Sequence, residues 1–170
     1  MIAGSSFTIC PVSRDDLNQS LEVYRQCEDF LALGPDPHAS MEMIEKDMQI
    51  SNEAGGLFCG IFDDNQNMIG VVDFIPENFE GNPNHAFIEL LMIAMPARRK
   101  GLGREVMQAV EPDNSRNPNI TDILSAVQVN NPSAIRFWKN LGYEIITEPV
   151  LNLDGITVYK LNKIIRKEQT

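Results

Sequence analysis

Ala86-Phe87-Ile88-Glu89-Leu90-Leu91-Met92-Ile93-Ala94, followed after three residues by Arg98-Arg99-Lys100-Gly101-Leu102-Gly103, joins an apolar strand to the amphipathic segment Leu102 to Val110. Two glycines at a helix start let the backbone turn without side chains in the way. They also expose the unpaired N–H groups of the first helical turn. Those donors and the positive end of the helix dipole favour an anion, above all a phosphate. Neighbouring arginine and lysine add charge-assisted hydrogen bonds. The run is therefore a candidate diphosphate cradle, although the same glycines would ease a tight strand-to-helix turn with no ligand at all.

The charge distribution sharpens this reading. The chain carries 14 Lys+Arg against 24 Asp+Glu, a net charge of −10. Four of the basic residues, Arg98, Arg99, Lys100 and Arg104, lie in this one stretch with no acid among them. A small basic patch on an acidic protein suits a small polyanion. It does not suit nucleic acid, which needs a wide basic face.

A second element agrees. Asn131-Pro132-Ser133-Ala134-Ile135-Arg136-Phe137-Trp138-Lys139-Asn140-Leu141-Gly142-Tyr143 reads as a helix with Asn131 as cap and Pro132 in the first turn. Arg98-x-x-Gly101-x-Gly103 resembles the Arg/Gln-x-x-Gly-x-Gly/Ala signature of the GNAT superfamily of N-acetyltransferases. The second element is similar to that family's Asn-x-x-Ala-x-x-x-Tyr-x-x-x-Gly-Phe helix. The order of elements extends the resemblance from about residue 7 to about residue 162.

The resemblance implies acetyl-CoA as co-substrate and a primary amine as acceptor. It implies that the turn Arg98, Arg99, Lys100, Gly101, Leu102, Gly103 and Arg104 holds the CoA diphosphate. The preceding strand, near Met92 and Ile93, would splay from its neighbour and pair with the pantetheine arm, which Asn131 would also contact. Two departures stand out. Met95 occupies the family's usual proline position, with Pro96 following, and Trp138 occupies the position of a tyrosine taken as general acid. An indole N–H does not give up a proton near neutral pH. Trp138 is expected at the edge of the cofactor channel. Tyr143, Tyr159 and then Cys59 are the remaining acid candidates, with Tyr143 equally a core aromatic after a helix-stopping Gly142.

Glu89 is the sharpest single residue, an ionisable group inside an apolar strand. Such residues are seldom buried unless paired. It is either a structural ion-pair member or the general base, acting directly or through water. Burial would raise its pKa toward the working pH, as a base requires.

Composition bounds the rest. At 170 residues the chain reads as one domain, 1–170, with a sizeable core and a basic tail, Lys163 to Thr170, expected to fray. No segment has the length of a membrane span. No basic region precedes an apolar run near the N-terminus, so no secretory signal is expected. Cys10, Cys27 and Cys59 are odd in number and scattered, which fits a reducing cytoplasm and argues against zinc. With His38 and His85 the only histidines, no metal is expected. The P-loop pattern and the dinucleotide glycine spacing are both absent.

The expected order is β-α-α-β-β-β-α-β-α-β-β. It implies an α/β (α+β) fold with a mixed, mostly antiparallel central sheet and helices on both faces. Phe7 to Val12 opens as a strand, and Ser13-x-x-Asp16 resembles a capping box. Leu17, Leu21, Tyr24 and Leu31 mark a first helix that Gly34-Pro35-Asp36-Pro37 ends. A second helix follows Ser40. Strands over 57–62 and 68–75 flank a turn, and a polar loop spans 76–84. The helix after Gly101 is expected to run out near Pro112, before a loop over 113–119. A strand over 120–129, a helix over 132–141 and strands over 142–150 and 156–161 complete the chain.

The family resemblance places the acceptor between residues 30–40 and the loop 76–85, where Asp36, Glu77 and Glu80 would attract a small cationic amine. The rival reading is a non-catalytic CoA-binding sensor or interaction module of the same fold. The resemblance implies that a homodimer is possible, with the last strands as an exposed edge for pairing, and the sequence leaves the oligomeric state open.

Overall fold

The computed structural model describes residues 1–4, 6–115 and 118–165. Strands β1 (Ile2–Ala3) and β2 (Phe7–Pro11) come first, then helices α1 (Leu17–Arg25), α2 (Glu28–Leu31) and α3 (Met41–Glu53). Strands β3 (Leu57–Asp63), β4 (Met68–Ile75) and β5 (His85–Ile93) lead to α4 (Leu102–Ser115). Strand β6 (Asp122–Gln128), helix α5 (Pro132–Asn140) and strands β7 (Glu144–Ile145), β8 (Val150–Leu151) and β9 (Thr157–Ile164) close the chain. The sheet order is β1-β2-β3-β4-β5-β6-β9-β7, with β8 also on β9. Every pairing is antiparallel except that of β5 with β6. The expected mixed sheet is therefore what the chain forms.

Helices cover both faces because each carries an apolar stripe. Val106, Met107 and Val110 of α4 and Trp138 of α5 pack with Val72, Phe74, Ile88 and Ile123. On the other face, Val23 and Tyr24 of α1 and Ile44 of α3 pack with Phe58, Val71 and Met92. Local signals hold where they are strong. Ser13 donates from both its N–H (2.9 Å) and its hydroxyl (2.6 Å) to the Asp16 carboxylate. The Ser40 hydroxyl oxygen caps α3 by accepting from the Met43 N–H at 3.1 Å.

Four expectations are corrected. The first helix does not run through to Leu31. It breaks at Gln26 and Cys27, where the Gln26 carbonyl accepts from Arg98 Nη2 at 3.2 Å. Helix α4 does not run out near Pro112 but continues to Ser115. The loop expected over 113–119 thus gives its first three residues to the helix, and 116 and 117 lie outside the described residues. The single strand expected over 142–150 is two short ones, interrupted ahead of Pro149, which has no N–H for a ladder. Finally, Lys163 and Ile164 belong to β9 rather than to a frayed tail. Lys163 Nζ donates to Glu111 Oε2 at 2.5 Å across to α4. The Ile165 N–H donates to the Thr121 carbonyl at 2.7 Å, and the rest of that tail, 166–170, lies outside the described residues.

One irregularity positions everything that follows. Parallel pairing of β5 with β6 covers only His85–Ile88 against Asp122–Ser125. The Ser125 hydroxyl donates to the Ile88 carbonyl at 3.0 Å at the end of that short ladder. Beyond it β5 follows β4 to Ile93, while β6 follows β9 to Gln128. The sheet opens like a V.

Candidate active site

A cavity of about 580 Å³ fills the opening. Glu89 to Ile93 form one wall and Ala126 to Gln128 the other. Gly103 of α4 and Asn131, Phe137 and Trp138 of α5 border it from one side of the sheet. Cys27, Asp29, Phe30 and Leu33 border it on the α2 side, with Asn152 and Asp154 of the β8–β9 turn. A second hollow of about 300 Å³, near Met1 and Pro76, is lined by apolar side chains and Cys59. Burial pushes the Cys59 thiol up to about 12, which removes it as an acid or nucleophile.

Glu89 owes its place to a β-bulge. Asp73 pairs with Leu90 and Phe74 with Ile88, so Glu89 is the extra residue of β5. Bulges re-aim a side chain and recur beside active sites. The bulge falls where β5 leaves β6, so Glu89 stands at the apex of the V. Glu89 is an exposed residue as a whole, open to the cavity mouth. Burial of its carboxyl nevertheless raises the pKa, and Asp73, Asp47 and Asp154 raise it further. Asp73 itself is 3% exposed. Burial holds it at about 6 although the Ser51 hydroxyl donates to it at 2.6 Å. Next to it, the Tyr24 hydroxyl donates to Asp47 at 2.7 Å.

The turn between β5 and α4 has the geometry its glycines predict, with φ of 87° at Gly101 and, less usually for a non-glycine, 61° at Arg99. Arg104 and Glu105 N–H groups both donate to the Gly101 carbonyl. The N–H groups of Arg99 to Gly103 take no backbone acceptor among the described residues. A Cβ on Gly103 would stand 3.3 Å from the Phe137 ring, so a larger residue would press into the cavity's border. These features fit a bound diphosphate. Asn131 Oδ1 accepts from the Ala134 N–H (3.0 Å) and the Ser133 hydroxyl (2.9 Å), which leaves its Nδ2 to donate elsewhere.

Of the residues read from the sequence, Glu89, Met92, Ile93, Arg98, Gly103, Asn131 and Trp138 meet at this one cavity. Arg99, Lys100, Gly101, Leu102 and Arg104 lie in the adjoining turn and first helical turn. Two side chains there are already engaged. Lys100 Nζ donates to the Pro96 carbonyl at 2.9 Å. Arg98 donates from Nη1 and Nη2 to both oxygens of Asp29, at 2.6 and 3.0 Å, and from Nε to the Ile93 carbonyl at 2.7 Å. Tyr143 lies apart from the cavity, 2% exposed, its hydroxyl donating to Glu111 at 3.1 Å. Burial first, then Glu111, raises its pKa further, so it is poorly suited to proton transfer. Trp138 is 7% exposed and packs edge-on against both Phe137 and Tyr143.

The residues expected on the acceptor side fall partly at this cavity. Phe30 and Leu33 border the cavity, but Asp36, Glu77 and Glu80 do not. Asn152 and Asp154 of the β8–β9 turn border it instead. Sequence reading missed Asp29, Gln128 and Asp154. A carboxylate in a polar turn gives no local signal of a cavity brought to it by strand pairing. Gln128 Oε1 is buried with no hydrogen-bond partner among the described residues, an acceptor open to a ligand N–H.

Comparison with known proteins gives a consistent answer. The acetyltransferase (GNAT) family pattern matches residues 18–143. A probable N-acetyltransferase, san, of Drosophila melanogaster is 32% identical over 82 residues, a match spanning 48% of this chain and 44% of that protein. Among solved structures, an acetyltransferase from Thermus thermophilus superposes with a TM-score of 0.77 at 20% identity, over 97% of this chain and 100% of the other. A spermidine N-acetyltransferase from Vibrio cholerae, solved with CoA and spermine, gives 0.69 at 20% identity, over 94% and 96%. These structural likenesses speak for the fold. The family pattern covers well over half of the chain and includes the glycine turn, α5 and the split strand, and the chain belongs to the acetyltransferase (GNAT) family.

Proposed function

We propose that the protein transfers an acetyl group from acetyl-CoA to a primary amine of a small cationic molecule, by direct attack in a ternary complex. The observation that carries this reading is the bulge that puts Glu89 at the apex of the split sheet, in the same cavity as Gly103 and Asn131. One opening thus joins an anion cradle to a candidate base. Acetyl-CoA supplies the acetyl group as an activated thioester. The turn N–H groups from Arg99 to Gly103 would hold its diphosphate, with Asn131 Nδ2 and the unpaired edge of β5 beside the pantetheine arm. Backbone N–H groups near Met92 and Ile93 would donate to the carbonyl oxygen on which charge develops. A primary amine with pKa near ~10 arrives protonated, and Glu89, through a water, would take that proton. Alignment of amine and thioester in one cavity supplies the remaining advantage.

The acidic groups favour a cation. Glu89 and Asp154 border the cavity, and the chain's net charge of −10 steers cations inward. The spermidine acetyltransferase of Vibrio cholerae shares this fold, which makes polyamines the first acceptors to try. Trp138 and the remote Tyr143 leave the cavity without a tyrosine acid, and this favours a second reading, a CoA-binding sensor without turnover.

Free thiol release from acetyl-CoA, measured across polyamines, aminoglycosides, amino acids and a lysine peptide, separates the two. Release well above the background without acceptor is expected for at least one cationic small amine. Calorimetric CoA binding with no release from any acceptor would favour the sensor.

A further inference from the structure

The signature arginine points away from where a phosphate ligand would be expected. Four of the five N–H donors of Arg98 go to protein groups from two other places in the chain. They are both oxygens of Asp29 on α2, the Gln26 carbonyl at the α1–α2 break, and the Ile93 carbonyl at the end of the split strand. This is a bidentate fork to a carboxylate, closed by two carbonyls. Moving the side chain to a ligand would break all four of these bonds, leaving the exposed Asp29 carboxylate to water and the Ile93 carbonyl to the Cys27 thiol at 3.5 Å. The pairing also holds the Asp29 carboxyl below the usual carboxylate range.

What Arg98 holds is a short element, seated on the core only through Phe30, Leu31 and the buried Cys27 at its start. Helix α2 has only four residues, none of them buried. A single turn has little stability of its own. Its other polar ties are few, and one of them, the Cys27 thiol at its N-cap, donates to the same Ile93 carbonyl at 3.5 Å. Glu28 accepts from the Ala39 N–H at 3.0 Å and meets His38 Nδ1 at 3.4 Å. Just beyond the helix, the Leu33 carbonyl accepts from Asn130 at 3.3 Å. Yet Phe30 and Leu33 are the apolar border of the cavity on this side of the sheet.

We propose that Arg98 is a positioning residue for the acceptor wall and not a ligand of the cofactor phosphate: it pins α2, through Asp29 and Gln26, to the Ile93 end of the split strand. Acceptor affinity, rather than CoA affinity, then depends on it. Lysine cannot replace it, because a point charge does not reproduce the planar fork. The acceptor part of this inference rests on the function proposed above; the pinning of α2 does not.

Arg98→Gln and Asp29→Asn test it together, since Asp29→Asn cuts the clamp without touching the glycine turn. Amide hydrogen exchange over residues 26–33 and CoA affinity by calorimetry need no turnover. Both variants are expected to speed exchange in that segment and leave the CoA Kd within about twofold. Acceptor KM should rise about tenfold, more than kcat falls, as expected when a wall is misplaced. Unchanged exchange over 26–33 in both variants would overturn the proposal. So would a loss of CoA affinity of about tenfold or more in Arg98→Gln with acceptor KM unmoved in Asp29→Asn. If no amine is acetylated by the unmodified protein, the proposed function fails while exchange and CoA affinity still decide the clamp.

Discussion

Replacing Asp73 by asparagine should stabilise this protein, and by more as the pH rises. Asp73 is 3% exposed, accepts from the Ser51 hydroxyl at 2.6 Å, and has Asp47 as its charged neighbour. Burial holds it at about 6 rather than the ordinary 3.8. A folded-state pKa above the unfolded value means that stability is fully present below the unfolded value. It is lost as the pH rises through the folded one. At 1.36 kcal/mol per tenfold change, full ionisation in place costs roughly 3 kcal/mol. Asparagine keeps an oxygen for Ser51 and carries no charge. The Asp73→Asn protein should therefore match the original near about pH 4 and exceed it by up to ~3 kcal/mol near about pH 8. For a chain of this size that is roughly 6–12 °C in Tm. Urea unfolding of both proteins at a series of pH values measures it, and taking the difference cancels the other titrating groups. A difference that stays flat across that range, or a variant less stable at the alkaline end, would refute the argument that Asp73 is a buried carboxylate with no cation beside it among the described residues.

The same charge bears on Glu89. Glu89→Gln should slow acetylation by about 10²–10⁴-fold and flatten the acid limb of the pH profile. In the unmodified protein that limb should lie above the ordinary glutamate value of 4.5, because burial and then Asp73 raise the carboxyl. A normal profile in the variant would return Glu89 to a structural role. Gly103→Glu should abolish CoA binding in calorimetry. Its Cβ would sit 3.3 Å from Phe137 and its charge would face the phosphates; undiminished affinity would remove the diphosphate cradle. Ser40→Ala should cost about 1 kcal/mol in urea unfolding through loss of the α3 cap, and no loss would mean that packing alone sets that helix end.

Local chemistry determined a great deal by sequence alone. Apolar runs and turn residues located the strands over 57–63 and 68–75 within a residue. Ser13, Ser40 and Asn131 marked helix starts, and Gly101 and Gly103 marked the turn. These signals were legible because capping, turn geometry and periodicity act among residues at most four positions apart. Glu89 was legible as an oddity, a charge in an apolar strand, but not as the extra residue of a bulge. That depends on the register of β4, which is a matter of pairing. Only the tertiary structure decided that Arg98 turns to Asp29, 69 positions away, and that the first helix breaks where the Gln26 carbonyl meets that arginine. It alone brought Asp154 and Gln128 to the cavity, and made a partly buried ion pair of Lys163 and Glu111. A surface-like charge carries no mark of its partner in its own neighbourhood. Its role is set when the sheet splits and the helices dock, because only then are the groups that satisfy it within hydrogen-bond reach.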